Sequence, residues 1–379
     1  MLQRLAELEN RGRHYVNLAD LASREMAKTD PKMFLQLHRP PVLIDEVQYA
    51  PELFTYIKMH IDEAQRPGDF WLAGSHVFRL MRNIRESMAG RVALLHMPFL
   101  SQREITGNAQ QPFSLDFETL LKQSDTISPV SGPAMFERLW FGCMPGLVGH
   151  KTANRDEFYS SCVATCVEQD ARNLGGNISG DFDVLSFLRF FRSAAARISH
   201  VVNCKAMAED ADIPQTTARR WLGILETLGI VFLLHPYANS ALKGAIRTPK
   251  LYFHDTGLAC FLVKWPSSEV AEAGAMNCAL LENFAVSEIV KSYQNAGLEP
   301  FVYYYRDRDD KEIDLLLERD GTLFPIEIKK TTMPDRRITK GFGVIGKSPL
   351  KRGTGAVLCL ADTLAAFDAD NLIVPIWLI

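Results

Sequence analysis

The stretch Pro41-Val-Leu-Ile-Asp-Glu-Val-Gln48 constrains the fold more than any other part of the chain. An apolar run leading straight into two adjacent carboxylates reads as a buried parallel strand with Asp45 and Glu46 at its C-terminal tip. A strand of that kind needs helices on both faces, and open α/β sheets place their chemistry at the strand tips. Two carboxylates there can hold a nucleotide-bound Mg²⁺ and orient an attacking water. The same pattern also fits a core strand ending in a solvated acidic turn, because short motifs recur by chance.

The neighbouring segments narrow the choice. A helical stretch, Pro51 to Gln65, is followed by a second apolar strand, Gly68-Asp-Phe-Trp-Leu-Ala-Gly-Ser75, that ends in a small polar residue. Then comes Glu86-Ser-Met-Ala-Gly-Arg-Val92. Together with Ala50-Pro-Glu-Leu-Phe54 and Pro98-Phe-Leu-Ser-Gln-Arg-Glu-Ile105, this succession resembles the AAA-type domain of a large family of predicted prokaryotic ATP-binding proteins. Their C-terminal domain, of unknown function, is related to restriction-endonuclease folds. The match runs from about Tyr15 to Glu104 and resumes from about Phe158 to the end. The resemblance implies that Asp45 and Glu46 are the Walker B pair, Ser75 the sensor and Arg91 a phosphate-sensing arginine.

In that family a strand and a Gly-Lys-Thr loop precede the segment resembling Tyr15-Val-Asn-Leu-Ala-Asp20. Here fourteen residues precede Tyr15 and read as the tail of a helix. The first strand and P-loop are therefore expected to be missing, and ATP binding to be weak or lost, because that loop supplies most of the phosphate cradle. Gly341-Phe-Gly-Val-Ile-Gly-Lys-Ser348 matches the Walker A pattern by letter. A working P-loop follows a strand and opens a helix, whereas Pro349 disfavours helical backbone at Ser348. A basic surface loop is the expectation there.

A chain of 379 residues holds two or three domains, and 47% hydrophobic with 23% charged residues fits a globular protein. The net charge of −3 gives no global basic field for nucleic acid. The seven cysteines are scattered, with only Cys162 and Cys166 close and no zinc spacing, which suggests reduced thiols and a cytoplasmic setting. The N-terminus lacks a signal-peptide apolar region, and Thr227 to Leu242 is interrupted by His235, Pro236 and Asn239, so no membrane span is expected.

Residues 106–154 read as a connector with a short helix, and the segment ending Gly142-Cys-Met-Pro-Gly146 resembles a glycine–proline turn of the same family. From Arg155 to Val202 the pattern is helical, with Phe187, Phe190 and Phe191 at core spacing. Ala206 to Asp212, a turn at Ile213-Pro214, Gln215 to Leu228 and the strand Ile230 to Leu234 form a winged-helix-like order. Thr216, Thr217, Arg219 and Arg220 lie on the polar face of its second helix and are candidate nucleic-acid contacts. Three basic residues (Lys205, Arg219, Arg220) against four acidic ones (Glu209, Asp210, Asp212, Glu226) argue against direct DNA contact and for a packing or protein-contact module.

In residues 249–379, Val302 to Arg306 and Glu312 to Glu318 read as a hairpin, followed by the strand Leu323 to Lys330. Glu327 and Lys329 are two apart and share a face, where Asp314 on the neighbouring strand can meet them. Asp followed by Glu-x-Lys on adjacent strands resembles the PD-(D/E)xK nucleases, although Ile313 stands where that motif has proline. Asp314 and Glu327 would hold Mg²⁺, Lys329 would position water or developing charge, and Glu282 matches the superfamily's helix-borne acid. A hairpin of solvated charges, or a structural Glu–Lys pair, fits the same residues. Eight basic residues between Lys329 and Arg352, among them Lys330, Arg336 and Arg337, face one acidic residue, Asp335, and would suit a phosphate backbone.

The expected fold class is α/β: a truncated AAA-type P-loop ATPase core over 1–105, a connector over 106–154, a helical and winged-helix middle over 155–248, and a restriction-endonuclease-like α/β domain over 249–379. The leading expectation is a protein acting on nucleic acid, with ATP, where bound, controlling the C-terminal domain. A non-catalytic interaction or regulatory protein with vestigial sites is the alternative, and an N-terminally shortened product of a longer gene is a third reading. No oligomer is predicted.

Overall fold

The computed structural model describes residues 2–74, 88, 90–95, 97–108, 111–149, 154–165, 182–237, 247–308 and 311–379. The chain divides into two compact units, Met1–Leu94 and Leu95–Ile379.

The first unit is built on a parallel sheet of β1 (His14–Asn17), β2 (Val42–Asp45) and β3 (Phe70–Leu72) in the order β1-β2-β3. The central β2 buries Val42, Leu43 and Ile44, as an apolar run without alternation requires. Phe34, Leu53, Phe54 and Ile57, from the helices Pro31–Leu37 and Leu53–Ala64, pack in the same core. The helix starts are chemically marked: the Asp20 carboxylate accepts from Ser23 N at 2.8 Å and that of Asp30 from Met33 N at 2.9 Å. The residues ahead of β1 form a helix, Leu2–Glu9. Arg13 then closes the strand starts, with its guanidinium on Glu9 at 2.7 Å, on Gly68 O at 2.8 Å and over Trp71 at 4.0 Å.

The main core of the second unit draws on residues from Phe113 to Ile379, with smaller clusters around Phe342 and Val357. Its main sheet contains β6 (Val302–Arg306), β7 (Glu312–Arg319), β8 (Thr322–Lys329), β9 (Lys351–Arg352), β10 (Gly355–Cys359), β11 (Ala365–Asp368) and β12 (Asn371–Pro375). The order is β11-β12-β10-β8-β7-β6, with β9 pairing β8 off this path. β8 runs parallel to β10 and antiparallel to β7, so it sits in the sheet interior. The helix Asn277–Asn295 is buried along most of its length.

The stretch that composition marks as a connector contributes Phe113, Leu115 and Leu120 to this core. Phe187 and Phe190 pack on Trp221 at ring distances of 5.2 and 5.7 Å. Trp221 lies on the helix Gln215–Thr227, which follows the helix Cys204–Ala211 across a short turn. That helix leads into β4 (Val231–Leu234), which pairs antiparallel with β5 (Lys250–Phe253). The chain beyond β4 joins the main sheet, where Tyr237 N donates to Tyr304 O at 2.7 Å.

The Walker A look-alike is not a loop. Gly341–Lys347 lie within a 3₁₀ helix, Arg336–Lys347, whose three-residue repeat aligns Phe342 and Ile345 on one buried face. It opens no α-helix, so it lacks the geometry of a phosphate cradle. No described helix is long and apolar enough to cross a membrane.

The glycine–proline turn has a steric basis. Gly142 has φ 93° and ψ −170°, a backbone region open essentially to glycine. A Cβ there would stand 2.8 Å from the Asp255 carboxylate and overlap the Tyr159 hydroxyl. Asp255 is fully buried and accepts from Cys143 N at 2.6 Å, Tyr159 Oη at 2.8 Å and Leu258 N at 2.5 Å. Gly142→Ala is therefore expected to cost about 3 kcal/mol or more in urea unfolding. A loss below about 1 kcal/mol would contradict this packing.

Candidate functional site

At the tips of the first sheet, Asp45 and Glu46 are adjacent and half-buried. Tyr15, one strand away, donates its hydroxyl to Asp45 Oδ2 at 3.0 Å, and Asp45 Oδ1 accepts from Glu46 N at 3.0 Å. Glu46 takes the left-handed backbone, φ 55°, which turns the chain off the strand. Gln48 donates to the Glu46 carboxylate and lies against Gly74, where any Cβ would overlap it. The chain after β3 is thus drawn against the carboxylates through Val47 N to Ala73 O, 3.0 Å. Ser75 lies outside the described residues.

Arg91 is not brought to this tip. Its guanidinium meets Asp62 at 2.5 Å, near the end of the helix Leu53–Ala64. Two residues earlier His60 reaches Asp69 at 3.0 Å, and Asp69 O pairs with Val42 N at the strand starts. That helix runs back along the sheet, so Arg91 stands at the opposite edge from Asp45.

The denser constellation lies in the second unit. Asp314 on β7 and Glu327 on β8 are each 6% exposed, and Lys329 Nζ sits 3.0 Å from Asp314 Oδ2 and 2.7 Å from Glu327 Oε2. The backbone N of Ile328 also donates to Asp314 Oδ2, at 2.9 Å. The alternation of β8 creates this arrangement, putting Glu327 and Lys329 on one face while Ile328 points to the other. The Lys329 side chain is 40% exposed, so the cluster opens to solvent on its side.

Burial pushes Glu327 up and the Asp314 charge adds to it, taking its carboxyl to about 9. Burial acts on Asp314 in the same sense, but Lys329, Lys250 and hydrogen bonds from Glu327 and Ile328 N hold it below the usual carboxylate range. Burial also opposes the Lys329 charge, and the two carboxylates overcome that. The pair therefore carries one negative charge and one proton, balanced by the ammonium.

Glu282 does not join the pair. Its Oε1 accepts from Lys250 Nζ at 2.9 Å and Tyr252 Oη at 2.6 Å. Burial, then the Asp314 charge, raises it to about 7. Lys250 also binds Glu312 at 2.6 Å, and Arg306 approaches Glu312 at 3.6 Å. Lys250 and Tyr252 are site residues that the motifs miss. Their signal is the two-residue spacing in Lys250-Leu-Tyr-Phe253, which points a lysine and a phenol to one side of an apolar strand.

Asp314 and Glu327 are adjacent hard oxygen donors at a partly open edge, a set that fits Mg²⁺, which is held by one or two carboxylates with water and phosphate completing its shell. Among the described residues no cluster of three or more His, Cys, Asp or Glu side chains is placed to hold a metal ion.

The candidate nucleic-acid contacts divide. Thr216, Arg219 and Arg220 are exposed and Thr217 half-buried on the helix Gln215–Thr227, opposite buried Ala218, Trp221 and Leu225. Arg336 pairs with Asp368 and Arg337 with Asp335, both at 2.7 Å, which offsets part of the basic excess. Lys330 lies just past the end of β8. Its ammonium donates to Glu272 O at 2.5 Å and lies 4.9 Å from the Phe136 ring.

Residues 1–106 match the family model of an AAA domain, residues 133–269 a domain of unknown function (DUF8612) and residues 278–379 another domain of unknown function (DUF4143). The carboxylate cluster draws on both of the latter: Lys250 and Tyr252 come from one, and Glu282, Asp314, Glu327 and Lys329 from the other. The chain is also 27% identical over 308 residues to uncharacterized proteins of Mycobacterium tuberculosis and Mycobacterium bovis. The aligned part covers 80% of this chain and 62% of each relative.

A carboxyl that stays protonated in the folded chain up to about 9, but ionises near its ordinary value when unfolded, takes up a proton on folding. Its stabilising contribution is full below the unfolded value and is lost as pH rises toward the folded one. Glu327→Gln removes that titration. In urea unfolding, the variant's stability relative to the parent is expected to rise between about pH 5 and pH 8. A difference that stays flat over this range would contradict a buried, neutral Glu327.

Proposed function

We propose that the second unit carries a Mg²⁺-dependent phosphodiester-cleaving site of the PD-(D/E)xK type, acting on nucleic acid, in a protein with an AAA-type ATPase-like first unit. The observation that carries this reading is the meeting of Asp314 and Glu327, on neighbouring strands, at the Lys329 ammonium, 3.0 and 2.7 Å away. Asp314 and Glu327 would hold the ion, which when bound offsets charge on the attacked phosphate and acidifies its water. Lys329, at the solvent-facing edge, would orient that water or meet the charge that develops on the phosphate. The helix–turn–helix and β4–β5 hairpin support a winged-helix reading, with Arg219 and Arg220 offered to a phosphate backbone.

In the first unit, Asp45 would bind the nucleotide's Mg²⁺ and Glu46 would orient water, with Tyr15 and Gln48 fixing the two carboxylates. Residues 1–105 contain no Gly-Lys-Thr loop. The 379-residue chain on its own is therefore expected to bind ATP weakly.

A second reading, of a non-catalytic interaction protein, is favoured by one feature. Lys329 already neutralises the carboxylate pair without any metal, so the cluster is stable as a structural ion pair.

Calorimetric titration with Mn²⁺ separates the two. Binding between micromolar and millimolar that both Asp314→Ala and Glu327→Ala abolish is the expected result. Lys329→Met is expected to keep Mn²⁺ binding and lose nicking of supercoiled DNA. Absence of binding, or binding indifferent to both carboxylate variants, would overturn the nuclease reading in favour of the interaction protein.

A further inference from the structure

Two half-buried acids, Glu282 and Glu312, and a buried lysine, Lys250, stand beside the proposed metal site without a role in it. Glu282 projects from the helix Asn277–Asn295 into the region of Asp314, close enough that each feels the other's charge. Its Oε1 nevertheless receives two donors from β5, Lys250 Nζ and Tyr252 Oη. Lys250 is 3% exposed and is held on its other side by Glu312, two residues before Asp314 on β7. The Tyr304 ring lies 5.4 Å from its ammonium. Lys250 is thus clamped between the helix carboxylate and the strand carboxylate, and Tyr252 is fully buried beside it.

We propose that Lys250 acts as a latch, holding Glu282 out of the metal site formed by Asp314 and Glu327, and that Glu282 becomes a third ligand only when the lysine is withdrawn. The inference rests on the metal reading of Asp314 and Glu327. A divalent cation gains with each added hard oxygen donor and each nearby positive charge removed. Releasing Glu282 does both. Lys250 comes from the β4–β5 hairpin, outside the segment that carries the carboxylates, so the latch lies on a separate element from the ligands it controls.

The consequence has an unusual sign: truncating a buried lysine tightens metal binding, where loss of a purely structural ion pair weakens it. The test titrates Mn²⁺ calorimetrically into the full chain and into Glu282→Gln, Lys250→Met, the double variant and Asp314→Asn, each checked for its thermal unfolding transition. Glu282→Gln is expected to bind within about threefold of the parent, because Glu282 is not a ligand while latched. Lys250→Met is expected to bind about tenfold more tightly. The double variant should bind more weakly than Lys250→Met, keeping only the part of the gain that comes from removing the lysine charge, and Asp314→Asn should abolish binding.

If Glu282→Gln weakens binding as severely as Asp314→Asn, Glu282 is an ordinary ligand and the latch is wrong. Equal or weaker binding by folded Lys250→Met also overturns it. Should Lys250→Met fail to fold, the comparison of Glu282→Gln with Asp314→Asn decides. A parent chain that binds no Mn²⁺, or binds it independently of Asp314, defeats the metal reading itself and the latch with it.

Discussion

Everything distinctive about the second unit follows from placing carboxylates inside a β-sheet. An ionised carboxylate removed from water costs several kcal/mol unless a counter-charge and hydrogen bonds meet it. Asp314 and Glu327 face each other on β7 and β8, where two negative charges cannot coexist cheaply. The chain answers with a shared proton, a lysine across both carboxyls and a backbone N–H on Asp314. Lys250 serves the second pair, Glu282 and Glu312, in the same manner. Such a network is a poor way to stabilise a sheet, since apolar side chains would fill it without desolvating charge. Its presence therefore favours chemistry over packing as the reason for these residues.

The fold holds this network at a fixed place. β8 lies between β10 and β7, and each ladder fixes its register, so Glu327 and Lys329 cannot slip to the other face. Asn283 on the long helix donates to Phe253 O at 2.8 Å and accepts from Phe253 N at 2.7 Å, tying β5 to the helix that carries Glu282. The lysine and the acid it binds are thereby positioned by direct hydrogen bonds between their own elements. In the first unit the same logic is simpler: a buried central strand ends, the backbone turns left-handed at Glu46, and Tyr15 and Gln48 hold the two carboxylates.

Features carried by local pattern were legible in the sequence. The apolar run into Asp45 and Glu46 could only be a buried strand, and the i, i+2 spacing of Glu327 and Lys329 put them on one face whatever the rest of the sheet did. Features set by packing were not. Lys330 reads as one more positive charge in a basic run, yet just past the end of β8 it is engaged by the Glu272 carbonyl and the Phe136 ring. Arg91 follows a strand-tip motif closely in sequence, but the helix Leu53–Ala64 returns down the sheet and Asp62 captures the guanidinium at the far edge. Lys250 is not legible as a site residue because it lies some sixty residues before Asp314 in sequence, and long-range contacts of β5, its pairing with β4 and its hydrogen bonds to Asn283, hold it beside Glu282. The polar composition of residues 106–135 hid Phe113, Leu115 and Leu120, three apolar residues sufficient to anchor the stretch in the core.

The central claim is that Asp314 and Glu327 are a cation-binding pair for which Lys329 stands in. The most direct measurement is anomalous scattering from crystals of the chain grown with Mn²⁺. The account predicts a single strong peak at about 2 Å from oxygens of both Asp314 and Glu327, with the Lys329 ammonium moved off them. Crystals that show Lys329 still seated on both carboxylates, and no anomalous peak beside them, would contradict it.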